Sequence, residues 1–203
     1  MTERTILKPY LHKELLEAGC DEAGRGCLAG PVYAAAVILP HGYTNPMLND
    51  SKKLSAKQRL ALRQEIERDA VAWAVAFCDN TEIDRMNILR ASFHAMNRAV
   101  TQLATTPQFL LIDGNRFIDE TQIPYQCIVG GDAQYQSIAA ASILAKAYRD
   151  DFMDQQHELY PHYGWKSNKG YPTRQHYQAI IDHGITPLHR RTFTLYQQQE
   201  LDF

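Results

Sequence analysis

The stretch Pro31–Leu39, Pro-Val-Tyr-Ala-Ala-Ala-Val-Ile-Leu, constrains the fold more than any other part of the chain. Apolar residues at consecutive positions leave no polar face. A run this short between polar segments reads as a β-strand buried on both sides. Such a strand needs partners along its edges and cover on each face, so it belongs inside a sheet flanked by other elements.

Residues 17 to 24 read as a neighbouring strand, and further strands are predicted over 71 to 78, 108 to 113 and 126 to 129. Ser55-Ala-Lys-Gln58 is a capping-box pattern that opens a helix to about Ala70, with Leu60, Leu62 and Ile66 on its apolar face. Thr81 can cap a long helix through about Leu103, in which Ile83, Met86, Leu89, Phe93, Met96 and Val100 form a core stripe. A helix is predicted from about Ala133 to Gln155. Its alanines between Ala139 and Ala147 predict a close backbone contact. Thr173 can cap a last helix ending at Gly184. Strands first, then alternating helices and strands, give an α/β fold: a mixed central β-sheet flanked by helices. The expected organisation is a single domain over residues 1–203, with about 156 to 197 as a helical C-terminal extension and 198–203 as a free tail.

Charge gives no global sign of a polyanionic partner, because the formal net charge is -2. Nucleic acid would have to be met by a local basic surface. The four cysteines form no C-x-x-C pair and the eight histidines show no zinc spacing, which points to reduced thiols. No apolar run reaches the length of a membrane span, and residues 1 to 15 lack the apolar core of a signal peptide. A cytoplasmic monomer without a membrane partner is expected.

The chemistry concentrates at predicted strand ends, where ligands collect in such sheets. Asp21 and Glu22 close the first strand, Asp113 closes the fourth, and Asp132 follows the Gly130-Gly131 turn. Neighbouring strands would bring Asp21 and Asp113 together. Bare carboxylates a few Å apart repel unless a cation neutralises them. Oxygen ligands without His or Cys select Mg²⁺ or Mn²⁺, and two such ions suit in-line attack on a phosphodiester. The loop Gly24-Arg25-Gly26 lets backbone approach a ligand closely. Single acids also have plainer readings: Asp113-Gly114 is a turn signal, and Asp132 is well placed to cap the following helix.

Taken together, Asp21-Glu22-Ala-Gly-Arg-Gly26, Leu48-Asn-Asp-Ser-Lys-Lys-Leu54, Leu111-Ile-Asp-Gly-Asn115, Gly131-Asp132, Ala139 to Lys146, Arg149-Asp150 and His162 to Thr173 resemble type 2 ribonuclease H, in order and spacing, over about residues 17 to 195. The resemblance implies a ribonuclease H-like fold and endonucleolytic cleavage of RNA paired with DNA, including one ribonucleotide embedded in DNA, leaving a 3′-hydroxyl and a 5′-phosphate. It implies that Asp21, Glu22, Asp113 and Asp132 bind the metals. It makes Gly24, Arg25 and Gly26 the sensor of the ribose 2′-OH, and Tyr171 the ring that stacks on the following deoxyribose. Lys52, Lys53, Lys146, Arg149 and Lys169, with Lys166, Arg190 and Arg191, are candidate phosphate contacts. His94 and His157 are read as helix residues without catalytic duty. The type 3 relative usually has Gly-Lys-Gly in the loop and a longer N-terminal segment. Many type 2 relatives carry Lys where this chain has Gly130. A hybrid-binding module without chemistry, the rival reading, would not need all four acids.

The C-terminal residues Gln198, Leu201 and Phe203 have the Gln-x-x-Leu-x-Phe form, which resembles peptides that bind a bacterial sliding clamp. Deleting residues 198 to 203 is expected to abolish capture of this chain by immobilised clamp in a pull-down.

Overall fold

The computed structural model describes residues 6–48 and 54–196. Lys52, Lys53, Gln198, Leu201 and Phe203 lie outside the described residues. Five strands, β1 (Glu17–Ala23), β2 (Val32–Ile38), β3 (Ala72–Cys78), β4 (Phe109–Asp113) and β5 (Tyr125–Ile128), form one sheet in the order β3-β2-β1-β4-β5. β1 and β2, and β2 and β3, run antiparallel. β1 with β4 and β4 with β5 run parallel, so the sheet is mixed as its sequence predicts.

β2 lies between β1 and β3, and Ala34 through Ile38 are fully buried. Alternation sorts its side chains between two cores. Val32, Ala34, Ala36 and Ile38 pack on the same side as α3 (Ile88–Thr101), while Ala35 and Val37 face α1 (Ala56–Asp69) and α4 (Gln136–Leu159). The middle of the sheet is β1 rather than β2.

The expected close contact is that of α4 on β1. Ala139, Ala140, Ala141 and Ala145 are fully buried. A Cβ on Gly19 would come within 2.2 Å of the Ser137 carbonyl carbon and 2.3 Å of the Ile138 nitrogen. Small residues on both sides let helix backbone rest almost directly on the strand.

The long helix predicted from Thr81 is two helices. Asp79, not Thr81, caps α2 (Asn80–Met86), because its carboxylate accepts from Glu82 N while Glu82 reaches back in a capping box. Asn87, at φ 69 and ψ 160, then breaks the helix, and its side chain caps α3 by accepting from Arg90 N. The register change turns Leu89 toward solvent, whereas Phe93, Met96 and Val100 stay in the core. Leu60 is likewise exposed on α1, where Leu62 and Ile66 carry the burial. The predicted Ser55 box and Thr173 cap are both present, the latter opening α6 (Arg174–His183). α4 starts after a 3-10 turn at Gly131–Ala133, three residues later than predicted, and runs to Leu159. Beyond it, α5 (Trp165–Asn168) and α6 pack with Leu28, Met153, Tyr163 and Leu195 around Trp165 in a core of their own.

Gly19→Ala should destabilise the protein by about 3 kcal/mol, since backbone on the facing helix cannot rotate away. Urea unfolding followed by circular dichroism measures the loss.

Candidate active site

The parallel register of β1 and β4 pairs Cys20 with Ile112, so the residues that follow, Asp21 and Asp113, emerge side by side. Alternation sends the Cys20 side chain into the α3 core and Asp21 to the opposite face, toward α4. Asp21 is buried, accepts a 2.6 Å hydrogen bond from Glu22 N at Oδ1, and is hydrogen-bonded by the Ser142 side chain of α4. Burial pushes its carboxyl well above the usual carboxylate range, and the charges of Glu22 and Asp113 push it further. Asp21, Glu22 and Asp113 line one cleft of about 310 Å³, together with Ser142, Lys146, Tyr171 and the Gly-Arg-Gly loop.

Asp132 comes from a different element than the other three acids. It is buried in the 3-10 turn after β5 and does not line that cleft. The turn is tied to the cleft by its neighbour, because Gly131 N donates to Asp113 Oδ1 at 2.7 Å. Nor does Asp132 cap α4, whose N-cap is Tyr135 without a side-chain bond. Among the described residues, no group of three or more His, Cys, Asp or Glu stands close enough to hold a metal ion as it is. The donor chemistry nevertheless fits a hard divalent cation. The cleft acids offer oxygen alone, and positive charge among them would offset the repulsion that raises Asp21. Arg25 supplies one positive charge already, pairing with Glu22 Oε1 at 3.0 Å from a half-exposed position.

The loop after β1 is held from beneath by two fully buried arginines. Gly24 has φ 97, and a Cβ there would meet Arg149 Nε at 2.0 Å. Arg149 donates to the carbonyls of Pro31, Lys169 and Ala29 at 3.0, 2.8 and 3.2 Å. Arg190 donates to those of Gly30, Arg25 and Gly24 at 3.0, 2.8 and 2.7 Å. The expectation that Arg149 and Arg190 touch phosphate is therefore corrected: both guanidinium groups are sealed from solvent and spent on backbone oxygens. Burial lowers Arg190 to about 10, which leaves it charged at neutral pH.

Two of the candidate lysines are partnered as well. Lys146 pairs with Asp150 at 2.6 Å and lies 5.7 Å from the Tyr171 ring centroid, at the edge of the cleft. Lys169 pairs with Asp154, while Lys166 and Arg191 are exposed. His94 pairs with Glu120 on α3's outer side, and His157 lies on α4, both away from the cleft.

Behind Tyr171 lies a network that sequence reasoning missed. Trp165 Nε1 donates to His176 Nε2 at 3.0 Å, so His176 Nδ1 carries the proton it gives to the Tyr171 carbonyl, also at 3.0 Å. Thr186 N donates to His189 Nδ1 at 2.9 Å, which leaves His189 Nε2 to donate to His176 Nε2 at 3.2 Å. Both rings are thus neutral. The one legible signal was the density of Trp and His around residues 162–189.

The family described as Ribonuclease HII matches residues 18–196. Ribonuclease HII of Bacteroides thetaiotaomicron is 61% identical over 197 residues, covering 97% of this chain and 98% of that one. Among solved structures, ribonuclease H2 from Pyrococcus horikoshii OT3 superposes with TM-score 0.73 at 25% identity, covering 88% of this chain and 94% of that one. The chain in the PCNA:RNase HII complex from Archaeoglobus fulgidus superposes with TM-score 0.74 at 26% identity, covering 93% and 100%.

Burial holds His189 down at about 4, against 6.5 ordinarily. The unfolded chain therefore takes up this proton first, and the stability it contributes is complete above 6.5 and lost as pH falls toward 4. The melting temperature should drop over that window, and His189→Gln should flatten the drop in melts recorded at stepped pH.

Proposed function

The chain belongs to the ribonuclease HII family and is a ribonuclease H endonuclease of RNA/DNA hybrids, and we propose that it also cuts duplex DNA on the 5′ side of an embedded ribonucleotide, using divalent cations held by Asp21, Glu22, Asp113 and Asp132. The observation that carries this reading is the parallel β1–β4 register. It sets Asp21 and Glu22 beside Asp113 in the cleft that also contains Gly24, Arg25, Gly26 and Tyr171. When bound, two Mg²⁺ or Mn²⁺ ions would supply an activated water and charge to steady the leaving 3′-oxygen.

This chain's residues do the rest. Ser142 and the Glu22 amide fix the orientation of the Asp21 carboxylate. Backbone groups of the Gly-Arg-Gly loop read the ribose 2′-OH, the one group that separates RNA from DNA at a site. The exposed Tyr171 ring packs on the next sugar and leaves no room for a 2′-OH there, which selects an RNA-to-DNA junction. Lys146, Lys169, Lys166, Lys52 and Lys53 meet phosphates without reading sequence. Residues 156 to 197, which carry Tyr171, serve as the substrate-binding extension of a single catalytic domain. The tail at Gln198, Leu201 and Phe203 docks on a sliding clamp, a reading supported by the clamp complex known for the Archaeoglobus relative.

The test is cleavage of a labelled DNA duplex containing one ribonucleotide, with Mg²⁺ or Mn²⁺. The wild type should cut once, 5′ of the ribonucleotide, and Asp113→Asn should lose at least about 100-fold in kcat. A wild type that binds the duplex and does not cut it with either metal would sink this reading.

A further inference from the structure

We infer that Arg190 is a specificity-determining positioning residue: it aims the loop amides of Arg25 and Gly26 at the ribose while lying outside the cleft itself. The inference rests on the reading of that loop as the ribose sensor.

Peptide planarity carries the inference. The carbonyls of Gly24 and Arg25 both point at the Arg190 guanidinium, at 2.7 Å from Nη2 and 2.8 Å from Nη1. Among the described residues there are no cis peptide bonds, so the N–H on the far side of each of these peptide units points the opposite way. The two N–H groups are those of Arg25 and Gly26. Arg190 is fully buried and the loop lines the cleft, so away from Arg190 means outward, toward the cleft side. One planar guanidinium thus sets the orientation of two consecutive amides at once.

The rest of the loop restrains that orientation. Cys27 N donates to Gly24 O, Leu28 N to Gly170 O, and Gly30 N to Leu188 O. Arg190 Nε holds Gly30 O, so the guanidinium spans both ends of the loop. Its own backbone is fixed by Arg190 N donating to Leu28 O. Arg149 acts differently. It fills the space under Gly24 and reaches Ala29, Pro31 and Lys169, but it touches neither the Gly24 nor the Arg25 carbonyl with a hydrogen bond that would turn those amides. A lysine at 190 would keep the positive charge and lose the fork, since three donors on one nitrogen cannot hold two adjacent carbonyls in a fixed plane.

Binding to two duplexes, alike except that one carries a single ribonucleotide, separates positioning from mere support. The assay uses Ca²⁺ in place of the catalytic ion so that nothing is cut, with thermal melts of each variant alongside. Arg190→Lys should keep the wild-type affinity for the all-DNA duplex, while its preference for the ribonucleotide duplex falls about tenfold. Ile66→Ala, at a fully buried site on α1 that is not part of the loop, serves as the destabilised control and should keep the full preference. If Arg190→Lys does not fold, the neutral and shorter Arg190→Gln is read in the same way. A selective wild type with an equally selective Arg190 variant overturns the inference, as does a parallel loss of both affinities. A wild type indifferent to the ribonucleotide overturns the reading of the loop as a ribose sensor, and the inference with it.

Discussion

The electrostatic cost of placing Asp21, Glu22 and Asp113 together governs this molecule. Asp21 is buried and faces two further carboxylates, an arrangement that relaxes wherever backbone can move. Here it cannot. Parallel pairing locks β1 to β4, and α4 lies so close on β1 that Gly19 has no room for a methyl group. From that helix Ser142 reaches Asp21, so the contact that excludes water from the sheet also steadies the acid it raises. The alanines of α4 and the acids of β1 are two sides of one design: rigid packing holds charges where they would otherwise part.

Positive charge is deployed in an unexpected place. Arg149 and Arg190, instead of facing a polyanion, are folded inward and satisfy six backbone oxygens between Gly24 and Lys169. A glycine-rich loop has much conformational freedom to lose, and hydrogen bonds from a charged donor are among the stronger ways to restrain it. The flexible loop and the rigid arginines belong together: glycine permits the close approach at Gly24, and arginine removes the disorder that glycine brings.

Much of this was legible in the chain. Consecutive apolar residues in β2 announced an interior strand, Ser55 and Thr173 announced two caps, and acids at strand ends announced the cleft. The split between α2 and α3 was hidden because the apolar spacing from Ile83 to Val100 fits one helix as well as two. Only the left-handed backbone of Asn87 decides between them. Asp132, read as a fourth member of the acid group, occupies a buried turn whose Gly131 N donates to Asp113 Oδ1, a link that only the fold makes. The arginines misled for a different reason. Whether a guanidinium faces solvent or carbonyls depends on contacts of which five of the six span 118 to 166 residues, which no local pattern encodes.

The pairing of Lys146 with Asp150 and of Lys169 with Asp154 bears on the electrostatic field of this face. Each ammonium keeps further N–H donors beyond the one its aspartate accepts, yet its charge is already balanced locally, so the positive field these two residues project is weaker than their number suggests.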